Sequence, residues 1–416
     1  MKIAVVGAGI SGLTAAYLLN KKYDITIFEG GDRIGGHTAT KEVSVNNESY
    51  AIDTGFIVYN DWTYPNFIRL MSELGVESKP TEMSFSVSCD LSGLEYGGSD
   101  LNTLFAQRRN LLKPYYWKML WDIVRFNKAA IADLDNNQIA QDTTLGEYLK
   151  QKGYGDAFAN KYLIPMGSAI WSASTESMFN FPLLFFVRFL KNHGLLSINN
   201  RPQWRVIKGG SKEYIEPLIA GFKDNIRINS VIKSIRRDVD GVDLELENGN
   251  VERFDQVVIA SHSDQALEML EDVTVAEQEI LAAIPYQEND VVLHTDDSLL
   301  PKQKLAWSSW NYWLRSDEQE RAILTYDMNI LQGIKAPVTF CVTLNATQEI
   351  DPEKILGRYN YSHPVFSLAS VSAAKRWGEI NGVNRTWFCG AYWANGFHED
   401  GLNSGLRVAK ALDIQW

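Results

Sequence analysis

Apolar positions along the chain fall into two periods. Lys2–Val6 is a near-continuous β-branched run, which reads as a strand buried on both faces. Gly7-Ala8-Gly9-Ile10-Ser11-Gly12 follows at once, and Leu13–Leu19 then reads as a helix. A second strand, Asp24–Phe28, ends at Glu29. Asp255–Ala260 and Thr386–Cys389 repeat the strand pattern far downstream, and Leu402, Leu406 and Ala409 then mark one face of a last helix. Between them come a helix from Ser211, a strand near Ile226–Val231 and a hairpin turning at Asn248-Gly249. Val291–His294, Ala322–Tyr326 and Val338–Leu344 also read as strands, whereas the first long insertion is rich in helical patterns and aromatics. The pattern predicts an α/β chain with a non-contiguous nucleotide-binding domain made of residues 1–59, 202–264 and 386–416. Residues 60–201 and 265–385 are expected to form a second domain, a mixed sheet with a helical cap.

The first loop carries the chemistry. In a strand–GxGxxG–helix unit, Gly7 makes the tight turn, Gly9 lets the backbone approach a pyrophosphate, and Gly12 lets helix and strand pack closely. The helix start, with Ile10 and Ser11, supplies amides and a dipole for the phosphates. Glu29 stands twenty-two residues after Gly7, where an acidic side chain grips a ribose hydroxyl. The motif extends through Gly30, Arg33, Gly35, Gly36, His37 and Thr38. Arg33 is a fixed-fork donor within reach of phosphates, and the second glycine pair leaves room for a flat ring system.

Glu-x-x-x-Arg-x-Gly-Gly resembles the FAD-binding start of the flavin amine oxidase and phytoene desaturase superfamily. Asp53-Thr54-Gly55-Phe56 is similar to a segment that this family places beside the flavin, and Val231 matches its adenine contact. Gly390-Ala391 and the run from Gly396 to Gly401 resemble its C-terminal segment, which closes over FAD. The resemblance therefore implies a Rossmann-like (GR2-type) FAD-binding domain with an inserted substrate domain. It implies further cofactor contacts at Ala260, Gly390, Ala391, His398, Glu399, Asp400, Gly401 and Ser404. It is closer still to a bacterial subgroup of NAD/FAD-binding proteins. The likeness is carried by Trp204 with Gly209-Gly210-Ser211, Ala306–Tyr312, Met328-Asn329, His363-Pro364-Val365-Phe366 and Gly396–Gly401.

Composition narrows the partners. The 416 residues are 45% hydrophobic and 22% charged, enough for two domains that each bury a core. A net charge of −11 argues against nucleic acid. Cys89, Cys341 and Cys389 show no C-x-x-C spacing, so a reducing compartment without disulfides is expected, and no ligand spacing suggests a metal. The first strand begins at Lys2, which leaves no room for a signal peptide, and no apolar run reaches transmembrane length. The expected location is the cytoplasm, or the inner face of the cell membrane. Leu101–Lys128 carries Arg108, Arg109, Lys113, Lys118, Arg125 and Lys128 against Asp122 alone, interleaved with aromatics. It fits a basic amphipathic helix at a membrane surface, and equally a solvated helix whose aromatics pack inward. Met178–Leu190, with its five phenylalanines, reads as core or as the wall of an apolar tunnel. Nothing in the sequence sets the oligomeric state.

Three functions are compatible with this reading. Desaturation of a lipid acyl chain, with oxygen as final acceptor, is what the subgroup points to, since it includes a flavin desaturase acting on methylated tails of membrane phospholipids. Oxidation of a small amine is the second. Family members with that activity place a lysine on a substrate-domain strand, whereas Pro285–Thr295 has none, and only Phe397, with Trp393, suits their aromatic pair. An electron-transfer flavoprotein without turnover is the third. His398 is the first acid/base candidate, with ordering of its turn as the alternative; Asn311 and Asn329 are further catalytic candidates. Trp204, Trp307, Trp310 and Phe397 are the candidates for the substrate pocket, again with core packing as the alternative. His294 and His363 read as structural, and His193 and His262 lack supporting context. Cys389 reads as a small buried residue.

Overall fold

The computed structural model describes residues 1–197, 199–315 and 321–416. Strand β1 (Lys2–Val6), helix α1 (Ile10–Leu19) and strand β2 (Asp24–Phe28) open the chain. Helix α2 (Pro65–Glu73) and strands β3 (Phe85–Cys89) and β4 (Leu94–Gly97) follow, then the long helix α3 (Pro114–Asp135) and α4 (Leu183–Asn192). Two short strands, β5 (Ile226–Arg227) and β6 (Gln256–Ile259), precede β7 (Tyr286–His294), β8 (Trp310–Leu314), β9 (Leu324–Asp327), β10 (Cys341–Leu344) and β11 (Ile355–Pro364). Strand β12 (Thr386–Phe388) and helix α5 (His398–Ala411) come last.

Five strands, in the order β5-β2-β1-β6-β12, make an all-parallel sheet. Its β-branched residues are buried on both faces, as the continuous apolar runs require: Ile3, Val5, Ile25, Ile27, Val257 and Ile259 are essentially inaccessible. Helices α1 and α5 pack so tightly that a Cβ on Gly405 would stand 2.5 Å from the Ser11 carbonyl oxygen. The same core takes in Phe67 and Leu70 of α2, and Ile280, Leu281, Trp377 and Ile380 from helices between β6 and β12. Arg237 is buried beside this core and forms a two-point ion pair with buried Glu277, at 2.5 and 3.0 Å.

The second sheet has seven strands in the order β11-β7-β10-β9-β8-β3-β4. It is mixed, because β8 pairs parallel to β3 while its other pairs are antiparallel. Helices α3 and α4 cover it through Phe126 and Phe186, with Phe158, Trp171 and Phe181 from the segments between them, so the phenylalanine-rich stretch 178–190 is mainly core. The stretch 101–128 is not one helix. A short helix at Leu101–Leu104 and a 3-10 turn at Arg108–Leu112 precede α3, whose first residue is Pro114. Proline is compatible with the first helical position, but it disfavours helix in the residue before it, and Lys113 is extended at φ −101°, ψ 110°. Among the described residues no helix is long and apolar enough to cross a membrane.

Candidate active site

A cavity of about 770 Å3 runs from the first loop, between the two sheets, to the helix at Ile164–Trp171. At the nucleotide end Gly7 takes φ +105°, which an L side chain rarely adopts, and its N–H donates to the Phe28 carbonyl at 2.8 Å. A Cβ on Gly12 would lie 2.0 Å from the Gly7 oxygen, so this glycine closes helix onto loop. A Cβ on Gly9 would meet nothing within 4 Å; it faces open cavity. Gly35 bridges back to Gly9 and donates to the Ala8 carbonyl at 2.8 Å. The Glu29 carboxylate accepts from the N–H groups of Ala8 and Gly31, both at 2.8 Å, which fixes it at the mouth beside Val231.

Most of the expected cofactor residues line this cavity: Gly7, Gly9, Ile10, Ser11, Glu29, Gly30, Gly35, Gly36, His37, Gly55, Phe56, Val231, Ala260, Gly390, Ala391 and His398. Others sit behind it. Arg33 does not line the cavity; its guanidinium donates to the carbonyls of Thr38 at 2.9 Å and Gly36 at 2.6 Å, bracing the glycine turn. Thr38 is buried against the Tyr214 hydroxyl at 2.5 Å. Glu399 is spent on the N–H groups of Asn66 and Phe67 at the start of α2, and Asp400 on those of Asn395 and Phe397. Ser404 accepts from the Gly390 N–H at 3.0 Å, and Gly401 lets α5 approach Ile10 and Ser11. These groups shape the cradle from behind its lining.

Four sequence-based candidates lie outside the cavity lining. Asn311 accepts from Ser86 and Ser308 and donates to the carbonyls of Ser308 and Thr325, so every polar atom is engaged inside the sheet. Asn329 likewise braces Val338 and Phe340. Neither lines the cavity. Trp307 donates its indole N–H to Pro301, and Trp204 lies in a strand paired with residues 59–60 and 78–80; both are outside the lining. Trp310 and Phe397 do line it, Phe397 stacked on Phe189 at 4.9 Å. Trp393 is buried outside the lining and so supplies no cage wall.

His398 lines the cavity, stacked on Phe56 at 3.7 Å, with Nε2 2.8 Å from the Tyr214 hydroxyl. Burial, and then repulsion from His37, push its pKa down to about 3. It is neutral near pH 7, which is wrong for a general acid, and it serves as a packed wall. His294 is structural, held between Thr343 and the Asp296 N–H.

Sequence reasoning missed a cluster of imidazoles. His363, read as structural, lines the cavity with His37 and His262, its ring 5.5 Å from that of His37. Tyr361 is 5.5 Å from His37, and Tyr286 stacks on His262 at 4.0 Å. The signal was the strand period: Tyr359, Tyr361 and His363 alternate along β11 onto one face. Burial, and then His262, lower the His363 pKa to about 4, so the ring is neutral. A chain of amides sets its tautomer. Asn345 donates to Asn289 Oδ1 at 2.9 Å and to the Ala322 carbonyl at 3.0 Å. Asn289 Nδ2 therefore donates, to the Gln287 carbonyl at 3.2 Å and to His363 Nδ1 at 3.3 Å. With Nδ1 an acceptor, the proton resides on Nε2.

The far end of the cavity is walled by Ile170, Trp171, Val291, Trp310, Leu344 and Phe366. Among the described residues the only charged groups lining the whole cavity are Glu29 and Glu268, both near the mouth, and no lysine or arginine reaches it. The site fits FAD: open space over Gly9, an amide-rich turn at the start of α1, a fixed carboxylate at the ribose position and the unpartnered buried Nε2 of His37. A pyrophosphate would be held by backbone N–H groups and the α1 dipole rather than by side-chain cations.

Comparison with known proteins gives the same picture. The family model described as "Flavin containing amine oxidoreductase" matches residues 10–322. The protein named "Probable flavin-containing monoamine oxidase A" of Dictyostelium discoideum is 24% identical over 273 residues, 62% of this chain and 56% of that one. In such matches the chain spans about half the length of the curated relatives. Among solved structures, cyclohexylamine oxidase from Brevibacterium oxydans superposes with TM-score 0.70 at 18% identity, covering 99% of this chain and 98% of that one. A conjugated-linoleic-acid-producing fatty acid isomerase from P. acnes does so with TM-score 0.70 at 15% identity and the same coverage. At those identities the likeness is one of fold.

Proposed function

The chain belongs to the family of flavin-containing amine oxidoreductases, and from that premise we propose that it is an FAD-dependent oxidoreductase that desaturates a lipid acyl chain, with oxygen as final acceptor. The observation that carries this reading is the far half of the cavity, which is walled mainly by aliphatic and aromatic side chains, with Ser172 and Asn395 as polar neighbours, and which has no charged side chain among the described residues. A methylene chain loses nothing on entering such a space, whereas an ammonium group would be stripped of water without a counter-charge. Bound FAD supplies the two-electron acceptor.

The chain's own residues do the rest. Trp171, Phe366 and Phe397 exclude water from the inner end. The loop around Gly9 and the start of α1 would hold the cofactor's phosphates, and Glu29 would hold its ribose. His363 offers a neutral N–H donor held in one orientation by Asn289, suited to an oxygen or nitrogen acceptor at the junction of the two halves.

The experiment is anaerobic mixing of the flavin-loaded protein with phospholipid vesicles whose tails are plain, methylated or cyclopropanated, and in parallel with primary amines and polyamines. Loss of the oxidised-flavin absorbance band with lipid alone, together with a tail lighter by two hydrogens in mass spectrometry, supports the reading. Bleaching by an amine and not by lipid refutes it. It would then favour amine oxidation, which the named activities of several relatives support.

A further inference from the structure

The surface formed by residues 101–121 has a composition at odds with the rest of the protein. Leu112 is 87% exposed, Trp121 67% and Trp117 50%, and Leu101, Leu111 and Tyr115 are each exposed as well. Helix α3 is aromatic on both faces. Tyr116, Met119 and Phe126 point into the core, while Trp117 and Trp121, one turn apart, lie on the solvent side with Lys118. An outward face of a soluble helix is ordinarily polar.

The patch is built rather than frayed. The Trp117 indole N–H donates to the Leu111 carbonyl at 2.9 Å, and its ring packs on Phe105 at 5.3 Å. This holds the 3-10 turn against the helix and sets Leu111 and Leu112 beside the tryptophans. Arg109 is anchored on the Gly93 carbonyl at 2.7 Å, and Tyr115 lies between the ammonium groups of Lys113 and Lys161, at 5.7 and 5.4 Å.

Its charge is one-sided. Arg108, Arg109, Lys113 and Lys118 are the only charged residues of 101–118, on a chain of net charge −11, and the acid at the edge of the patch is Asp100, which caps the helix at Leu101–Leu104. The acid that follows, Asp122, is buried and already paired with Lys118 and Arg125.

We propose that this face docks the protein onto an anionic lipid bilayer, with Leu112, Trp117 and Trp121 entering the interface and Arg108, Arg109 and Lys113 meeting lipid phosphates. Exposed leucine and tryptophan beside lysine and arginine are the combination that binds in the plane of a membrane, because the rings and aliphatic chains gain burial while the cations gain the negative surface potential. The proposal rests on this surface alone and not on which substrate is oxidised.

The test is co-sedimentation of the flavin-loaded protein with vesicles of pure phosphatidylcholine, or of phosphatidylcholine mixed with phosphatidylglycerol. Two exposed apolar positions are varied, Leu112→Glu and Trp121→Ala, and one cation, Lys113→Ala, with flavin content and circular dichroism confirming that each variant is folded. Binding to the anionic vesicles, weaker at high salt, is expected for the unsubstituted chain. It should fall about tenfold or more in either apolar variant, and about fivefold in Lys113→Ala. Absence of binding to anionic vesicles at low salt overturns the proposal, as does binding that both apolar variants leave intact. A dimer in light scattering that Leu112→Glu dissolves would also overturn it, by showing the face to be a contact between two copies of the chain.

Discussion

Two glycines of one motif, three residues apart, should fail in opposite ways. Gly9→Ala adds a methyl group at an extended residue (φ −78°, ψ −179°) with nothing within 4 Å, so the chain accepts it without strain. The new methyl occupies the space assigned to the pyrophosphate and displaces it from the turn. Loss of one charge-assisted N–H bond to phosphate costs about 2 kcal/mol, or about thirtyfold in FAD affinity. Gly12→Ala adds the same methyl 2.0 Å from the Gly7 carbonyl oxygen and 3.0 Å from the Ala260 Cβ. Real Cβ atoms stay at least 3.0 Å away, so backbone must move by about 1 Å. Overpacking against an immovable partner costs about 3 kcal/mol. In a chain of 416 residues that lowers the melting temperature by about 3 °C. The assay is paired: melting temperature of the flavin-stripped proteins, and FAD affinity by titration. Gly9→Ala should melt like the unsubstituted apo-protein and bind FAD weakly, while Gly12→Ala should melt low even without flavin. If Gly9→Ala retains full flavin at unchanged affinity, the placement of the cofactor over this loop is wrong.

Other consequences are equally direct. Glu277→Ala strands the buried Arg237 guanidinium with only Asp272 as counter-charge. A loss of about 3 kcal/mol is expected in denaturant unfolding, and the double change Arg237→Met with Glu277→Leu should recover most of it. His294 is fully buried and its pKa is lowered to about 4, chiefly by burial. Its neutral form is favoured only in the folded state, so its stabilising contribution is present above the unfolded-state value of 6.5 and lost as pH falls through it. Between pH 7.5 and 5.5 the unsubstituted protein should lose about 1.4 kcal/mol more stability than His294→Gln; parallel curves would contradict the burial argument. Asn289→Asp replaces the amide donor with a carboxylate acceptor and should move the His363 proton to Nδ1. Imidazole nitrogen NMR would show the exchange of the two ring signals, whereas Asn289→Leu should leave the tautomer to the Ser172 hydroxyl, 3.1 Å from Nδ1.

Legibility followed the length scale of the cause. The parallel sheet could be read because a strand buried on both faces must be apolar along its buried length, as Ile3–Val6 and Val257–Ile259 are. The glycine loop could be read because its geometry excludes side chains at fixed spacings. Asn311 and Asn329 misled because a buried amide bracing backbone looks, in sequence, like a polar group lining a pocket. Glu399 and Asp400 misled similarly: they lie in a motif beside the cofactor but serve the backbone of α2 and of the preceding turn. His363 was missed because its partners, Asn289 and Ser172, are 74 and 191 residues away; the sheet register brings Asn289 to it, and the end of the helix at Ile164–Trp171 brings Ser172. The break before Pro114 was legible from the proline itself.

The parallel sheet takes its five strands from points between residue 2 and residue 388. During synthesis β1 and β2 emerge first, but β6 cannot arrive until after residue 256, and β12 covers its edge only after residue 386. Most of the sheet's pairings are thus between residues far apart in the chain, which slows folding. A nascent chain carries β6 as an uncovered strand of Val257, Val258 and Ile259 for more than a hundred residues, the kind of edge that recruits another copy's strand. Helix α5 is also the last piece to meet α1, at Ile10 and Ser11. Flavin uptake therefore reports that β12 and α5 have been made and docked, and a chain cut short before β12 should appear in the cell as colourless, aggregating material rather than as a slow enzyme.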